Sequence, residues 1–214
     1  MVKLSKTSKL DGILSWSLQA IDTCPGSSDG KGGLVDACKG CYATTGNYRF
    51  PNVKAPREFN REDWKRDNWV DDMIAGLGNS RYFRWFDSGD MYDLGLAHKI
   101  YAVMKRTPEV KHWIPTRMHK FSKFKDVLEM MEALDNVSVR RSSDSVTGGL
   151  IDGLNTSTIF SEELPEGAVE CKAYQHDGKC SGCRACYDKS VSVIAYKAHG
   201  VKMAKVIKIL AVKQ

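Results

Sequence analysis

The residues of this chain best suited to chemistry are its seven cysteines, and they are grouped rather than scattered. Cys24, Cys38 and Cys41 form a C-x13-C-x2-C set, while Cys171, Cys180, Cys183 and Cys186 form a C-x8-C-x2-C-x2-C set. The basic opening MVKLSKTSKL is not followed by a long apolar run, so no secretory signal is evident and a cytoplasmic protein is expected. An odd number of cysteines in a reducing compartment argues against a disulfide framework. Cysteines serving as small core residues would not recur at two-residue intervals beside glycines. Metal or cluster ligation is therefore the expected use.

The two sets imply different chemistry. Zinc is the ordinary occupant of a four-cysteine site, but zinc ribbons pair two Cys-x2-Cys knuckles across a longer arm. Three cysteines at two-residue spacing, Cys180, Cys183 and Cys186, follow the ferredoxin arrangement around a cubane cluster, so iron–sulfur is favoured with zinc as the alternative. His176 reads as a neighbour of this set, not a ligand. The first set has only three thiolates, one short of a structural zinc site unless His or Asp completes it. A [4Fe–4S] cluster on three cysteines leaves one iron open to water, substrate or a cofactor. Three and four use every thiol, which favours two separate sites. A single region sharing all seven also satisfies the count.

Elements that alternate along the chain must position these groups. A short strand around Gly12–Leu18 leads into Cys24, and residues 24–41 form a Gly-rich loop carrying the first set. A helix is expected over Arg61–Ala75, a strand over Arg81–Phe86, and a helix over Leu94–Arg106 ended by Pro108. Then follow a strand at His112–Arg117, a helix at Phe121–Leu134, and strands at Val137–Ser142, Thr156–Phe160 and Val191–Tyr196. Strands alternating with helices predict an α/β protein with a parallel sheet, either open or rolled into a partial (β/α) barrel. We expect one domain over 1–214, with 171–186 as a cysteine-rich, cluster-binding insertion near the C-terminus. In such sheets function gathers at the strands' C-terminal ends. Cys24, the Ser88-Gly89-Asp90 turn, Arg117, Ser142 and His199 all fall there. Several residues have a plainer use: Asp90 as the cap of the next helix, Arg117 and the strand residue Arg140 as surface or ion-pair residues, His199 as a surface histidine.

Specific blocks carry a resemblance. Ser15-Trp16-Ser17-Leu18, Asp22-Thr23-Cys24-Pro25-Gly26, Cys38-x-Gly40-Cys41-Tyr42-Ala43 and Gly46-Asn47-Tyr48 resemble the phage-borne gene 88 protein family. Phe86-Asp87-Ser88-Gly89-Asp90, Gly178-Lys179-Cys180-x2-Cys183-x2-Cys186 and His199 fit it too. The resemblance spans most of the chain and implies a bacteriophage protein working in the host cytoplasm. It brings no biochemical activity with it. A second, architectural resemblance is to the radical S-adenosylmethionine enzymes. These hold a [4Fe–4S] cluster on three cysteines after the first barrel strand and bind the methionine amino group with a Gly-Gly-Glu-like turn after the second. By that resemblance Cys24, Cys38 and Cys41 are cluster ligands, and Ser88, Gly89, Asp90, Arg117 and Ser142 bind S-adenosylmethionine. Here thirteen residues separate the first two cysteines instead of three, and Gly40 stands where an apolar residue is usual.

Composition sets the remaining limits. With 42% apolar and 27% charged residues the chain has the balance of a globular protein, and no apolar run is long enough to cross a membrane. Its net charge of +6 resides at one end, because residues 189–214 hold six lysines and no acid. A structural tail with solvated lysines is the first expectation, and a nucleic-acid patch the second. Three function classes follow: an iron–sulfur enzyme with a radical-S-adenosylmethionine-like site, an iron–sulfur electron-transfer or redox-sensing protein, and a zinc-stabilised nucleic-acid-binding module. The substrate, a small molecule or a macromolecule, is not specified by any motif.

Overall fold

The computed structural model describes residues 1–212. Eight strands form one sheet in the order β1-β2-β3-β4-β5-β6-β8-β7, where β1 is Ser5–Lys6, β2 Leu14–Trp16, β3 Tyr82–Trp85 and β4 Lys111–Thr116. The others are β5 Val137–Ser142, β6 Thr156–Phe160, β7 Val169–Cys171 and β8 Val193–Lys197. Only β1 runs antiparallel; every other neighbouring pair is parallel. The helices are α1 Asp36–Lys39, α2 Pro51–Asp63, α3 Trp69–Leu77, α4 Leu94–Arg106, α5 Lys125–Glu132 and α6 Val201–Ala211.

From β2 to β6 each strand lies beside its predecessor in sequence. Over these strands the winding does not reverse, and the loops after them collect on one side; it turns back only at β7, the edge, with β8 between β6 and β7. Alternation along the strands then separates two faces. Phe83, Trp85, Ile114, Val137 and Val139 pack with Trp69, Met73, Leu96, Ile100, Val127 and Leu128 from the helices in the main core. The opposite face is largely polar: Ser15, Arg84 and Ser138 stand in register across β2 to β5 with one aromatic, Trp113, among them. A parallel sheet buried on both faces would be apolar on both. This one keeps its second face for something else.

The ends of the sheet are drawn together over that face without strand pairing. Leu10, in the 3-10 turn after β1, clusters with Trp113 of β4 and Tyr187. The Cys180 amide donates to the Lys9 carbonyl at 2.8 Å, and the Gly182 amide and Arg184 guanidinium donate to Asp11 at 3.0 and 2.9 Å. The sheet thus encloses a chamber.

One expectation needs correction here. The helix expected over Arg61–Ala75 is two helices: the polar run Lys65-Arg66-Asp67-Asn68 interrupts the apolar spacing between α2 and α3. Arg66 pins that break by pairing with Asp63 at 2.6 Å and Asp72 at 2.8 Å. Segment 171–186 begins at the end of the edge strand β7, which Cys171 closes, and lies between β7 and β8.

His112 on the helix-covered face makes the fold sensitive to acid. Its ring is fully buried, receives the Trp85 indole N–H at Nδ1, and meets Thr107 Oγ1 at Nε2. Burial pushes its pKa down to about 3. The unfolded chain binds this proton below about 6.5 and the folded chain does not, so stability falls as pH drops from about 6.5 toward 3. Between pH 7 and pH 5 we expect a loss of about 2 kcal/mol in urea unfolding, absent from His112→Phe.

Candidate functional site at the strand ends

A chamber of about 1330 Å3 opens at the strands' C-terminal ends, and all seven cysteines lie on its wall. Ser88, Gly89, Asp90, Arg117, Ser142 and His199 line it too.

The first set is placed by the turn after β2. The Cys24 amide donates to the Ile21 carbonyl at 3.0 Å, with Ile21 in the left-handed region at φ +71. Cys38 lies in α1, and Cys41 follows Gly40. Gly40 packs closely on α6: a Cβ there would stand 3.1 Å from the Met203 Cα, and the end of the Met203 side chain would have to move. Gly26 lies equally close to Arg117, so the cysteine loop is seated on the end of β4. Lys120 fastens it further, donating to the Gly26 carbonyl at 3.0 Å and to Asp144 at 2.8 Å.

Burial pushes the Cys24 thiol up to about 12, with Asp90 adding to the effect. Burial raises Cys38 and Cys41 as well, against the opposing charge of Arg117. Without a bound cation these thiols stay protonated at neutral pH; taking up a metal would release their protons. In donor type, sulfur throughout, both sets fit an iron–sulfur group. They are not drawn tightly about one ion: among the described residues no three His, Cys, Asp or Glu side chains are grouped to hold a metal ion.

The Ser88-Gly89-Asp90 turn is internally satisfied. Ser88 Oγ donates to the Leu18 carbonyl at 2.7 Å and accepts from Arg57 Nε at 2.6 Å. Asp90 does not cap α4; Asp93 does, accepting from Gly95 and Leu96. Asp90 instead accepts from the Met91 amide, Thr116 Oγ1 and the Arg117 amide, each at 2.8 Å, tying β3's loop to β4's end. Burial raises its carboxyl to about 6. Gly89 has φ +81, and a Cβ there would stand 2.6 Å from Leu18 and 2.7 Å from Thr23 Oγ1. Gly89→Ala combines left-handed strain with overlap, so we expect a loss of about 3 kcal/mol or more, read as a lowered Tm.

Arg117 donates to Asp144 at 3.2 Å and to the Ser143 carbonyl at 2.9 Å. Ser142 meets Ser157 of β6 at 3.3 Å, and His199 is exposed at the rim. Asp87 is a centre that sequence reading passed over. It takes Arg84 at 2.8 Å on one oxygen, and Tyr48 and Arg57 on the other, with Arg57 at 3.6 Å. The Tyr42 hydroxyl reaches inward to the Asp87 carbonyl at 2.8 Å while its ring stays half exposed. The alternation of RYFRWF puts Arg84 opposite Phe83 and Trp85 but does not say what it meets there; Arg57 sits on a helix whose start was not expected.

This arrangement can be set beside known proteins. Residues 2–208 match the family described as Gene product 88, nearly the whole chain. The chain belongs to the Gene product 88 family. No curated protein and no solved structure matches it. The likeness to radical S-adenosylmethionine enzymes receives no support from the match.

In this Gene product 88 chain the four-cysteine set is held differently from the first. Cys171 ends β7, and the other three follow through turns in which Asp177, Gly178, Ser181 and Gly182 all have positive φ. Cys186 meets Tyr196 Oη at 3.6 Å, and burial lifts its thiol to about 11. Arg140 corrects an expectation: it is neither a surface residue nor half of an ion pair. Fully buried, its guanidinium donates to the carbonyls of Ala185 at 3.1 Å, Cys186 at 3.4 Å, Asp188 and Val191. The loop behind Cys186 is wrapped around one side chain.

The basic tail forms α6, with Met203 and Val206 buried against Ala37 and Val146, and Ile207 and Leu210 partly buried. Lys202 donates to Thr44 at 2.9 Å, Lys205 and Lys208 face outward, and Lys213 lies outside the described residues. No helix among the described residues is long and apolar enough to cross a membrane.

Proposed function

We propose that this protein carries two iron–sulfur clusters, one on Cys24, Cys38 and Cys41, the other on Cys171, Cys180, Cys183 and Cys186. The observation supporting it is that both sulfur sets line one chamber, where a small molecule can lie between them. Cys24, Cys38 and Cys41 would hold a [4Fe–4S] cluster with one iron free of thiolate, and such a cluster would pass an electron from an external reductant to S-adenosylmethionine. The chain's own residues supply the surroundings. Arg117, beside Cys38 and Cys41, offsets thiolate charge. The Asp90 crosslink fixes the β3 and β4 ends that flank Cys24, and the buried wall limits water around the sulfurs.

Electron paramagnetic resonance under anaerobic reduction tests the enzyme reading. Adding S-adenosylmethionine is expected to change the spectrum of the wild-type protein and of Cys183→Ser, but not that of Cys38→Ser. An unchanged wild-type spectrum with both clusters present would leave an electron-transfer or redox-sensing protein. A colourless protein containing zinc would favour the nucleic-acid-binding module.

A further inference from the structure

Arg84, Trp113 and Tyr187 line the chamber, and each holds one buried polar atom without a hydrogen-bond partner: Arg84 Nε, Trp113 Nε1 and Tyr187 Oη. Their residues are only 7%, 5% and 8% exposed, so bulk water does not serve them. They are also neighbours. The Arg84 guanidinium lies 4.5 Å over the Trp113 ring, and the Trp113 and Tyr187 rings meet edge to face at 5.7 Å. Native proteins leave few such atoms unpaired, and an unpaired group signals a partner that belongs there.

The chemistry of that partner follows from the three groups. A guanidinium and an indole can only donate, and a phenol can donate, so the partner is an acceptor. A single water has two lone pairs for three donors. Charge narrows the choice further. Arg84 and Arg57 are both buried and share one carboxylate, Asp87. Two guanidinium charges thus face one carboxylate, an arrangement costly in a low-dielectric interior that a bound anion would relieve. An oxyanion meets both demands, with several lone pairs and a negative charge.

We infer that Arg84, Trp113 and Tyr187 form a binding site for the oxyanion group, carboxylate or phosphate, of a small-molecule substrate. Cys180 and Cys186 pack against the same cluster, so the anion would lie beside the four-cysteine set. The aromatic rings give the rest of the substrate an apolar platform. The role as a substrate anchor rests on the enzyme reading above, whereas anion binding itself does not.

Isothermal titration of the full-length protein with inorganic phosphate and, separately, with succinate tests the site. At least one is expected to bind saturably at one site per chain; phosphate alone or succinate alone tells which group the site was built for. Tyr187→Phe keeps the ring and removes only the hydroxyl, and it is expected to weaken binding about ten-fold. Arg84→Met should weaken it at least as much, with Arg84→Lys as the substitute if that variant does not fold. Lys105→Gln, an exposed change on α4, should leave binding as it was. No saturable heat with either anion up to about 20 mM, or undiminished binding by Tyr187→Phe, would overturn the inference. Iron measured on the same preparations separates the two claims. Iron without anion binding removes this site alone, and anion binding without iron removes the iron–sulfur reading alone.

Discussion

Replacing Arg140 with methionine is expected to release the four-cysteine segment and cost about 4 kcal/mol of stability. One guanidinium satisfies the carbonyls of Ala185, Cys186, Asp188 and Val191 from a fully buried position. Methionine fills a similar volume but donates nothing, and each buried acceptor left without a donor costs about 1–3 kcal/mol before relaxation. The loop would open to let water in, which moderates the total and exposes the backbone. Urea unfolding should show the loss, and limited proteolysis should cut within 171–191 in the variant but not in the wild type. Arg140→Lys should recover only a minor part, because a single ammonium cannot span four carbonyls. Wild-type stability and unchanged protease resistance in Arg140→Met would mean the loop is held by other contacts.

Cys183→Ser carries the second large effect. Cys183 is the most exposed of the seven cysteines, yet its amide closes the turn onto the Cys180 carbonyl at 2.9 Å. The variant should therefore fold its backbone as before and lose the metal of the four-cysteine set. Because a ligand that binds only the folded state adds to its stability, loss of metal should also lower Tm and open the C-terminal part to protease. Iron should fall by about half, with the remainder on the first set. Full metal content and full protease resistance in Cys183→Ser would remove that cysteine from the ligand set.

Much of the sheet was legible because the strands are short β-branched or aromatic runs, as in Tyr82–Trp85 and Val137–Ser142. Leu94–Arg106, Val137–Ser142 and Thr156–Phe160 fall where periodicity put them, and the C-terminal apolar residues dock as expected. The losses have physical causes. The start of α2 has Pro51 at its first position, a usable signal, but Pro56 inside the same helix argues locally against it. The edge strands β1 and β7 are two and three residues long, too short for any alternation to register. At the site, cysteine spacing and strand-end position brought the thiols and Ser88-Gly89-Asp90 into view. Asp87's partners were not visible, since Tyr42, Tyr48, Arg57 and Arg84 come from four separate segments that only folding brings together. Arg140 was in view but its use was not: an arginine in a strand normally signals surface, and here the fold spends it on backbone carbonyls.

The most direct measurement is the metal and acid-labile sulfide content of the protein isolated without oxygen. Two iron–sulfur clusters predict a brown protein containing iron and sulfide in equal amounts, with sulfide lost from the four-cysteine site in Cys183→Ser. Zinc without sulfide, or no metal bound at all after anaerobic reconstitution with iron and sulfide, would contradict it.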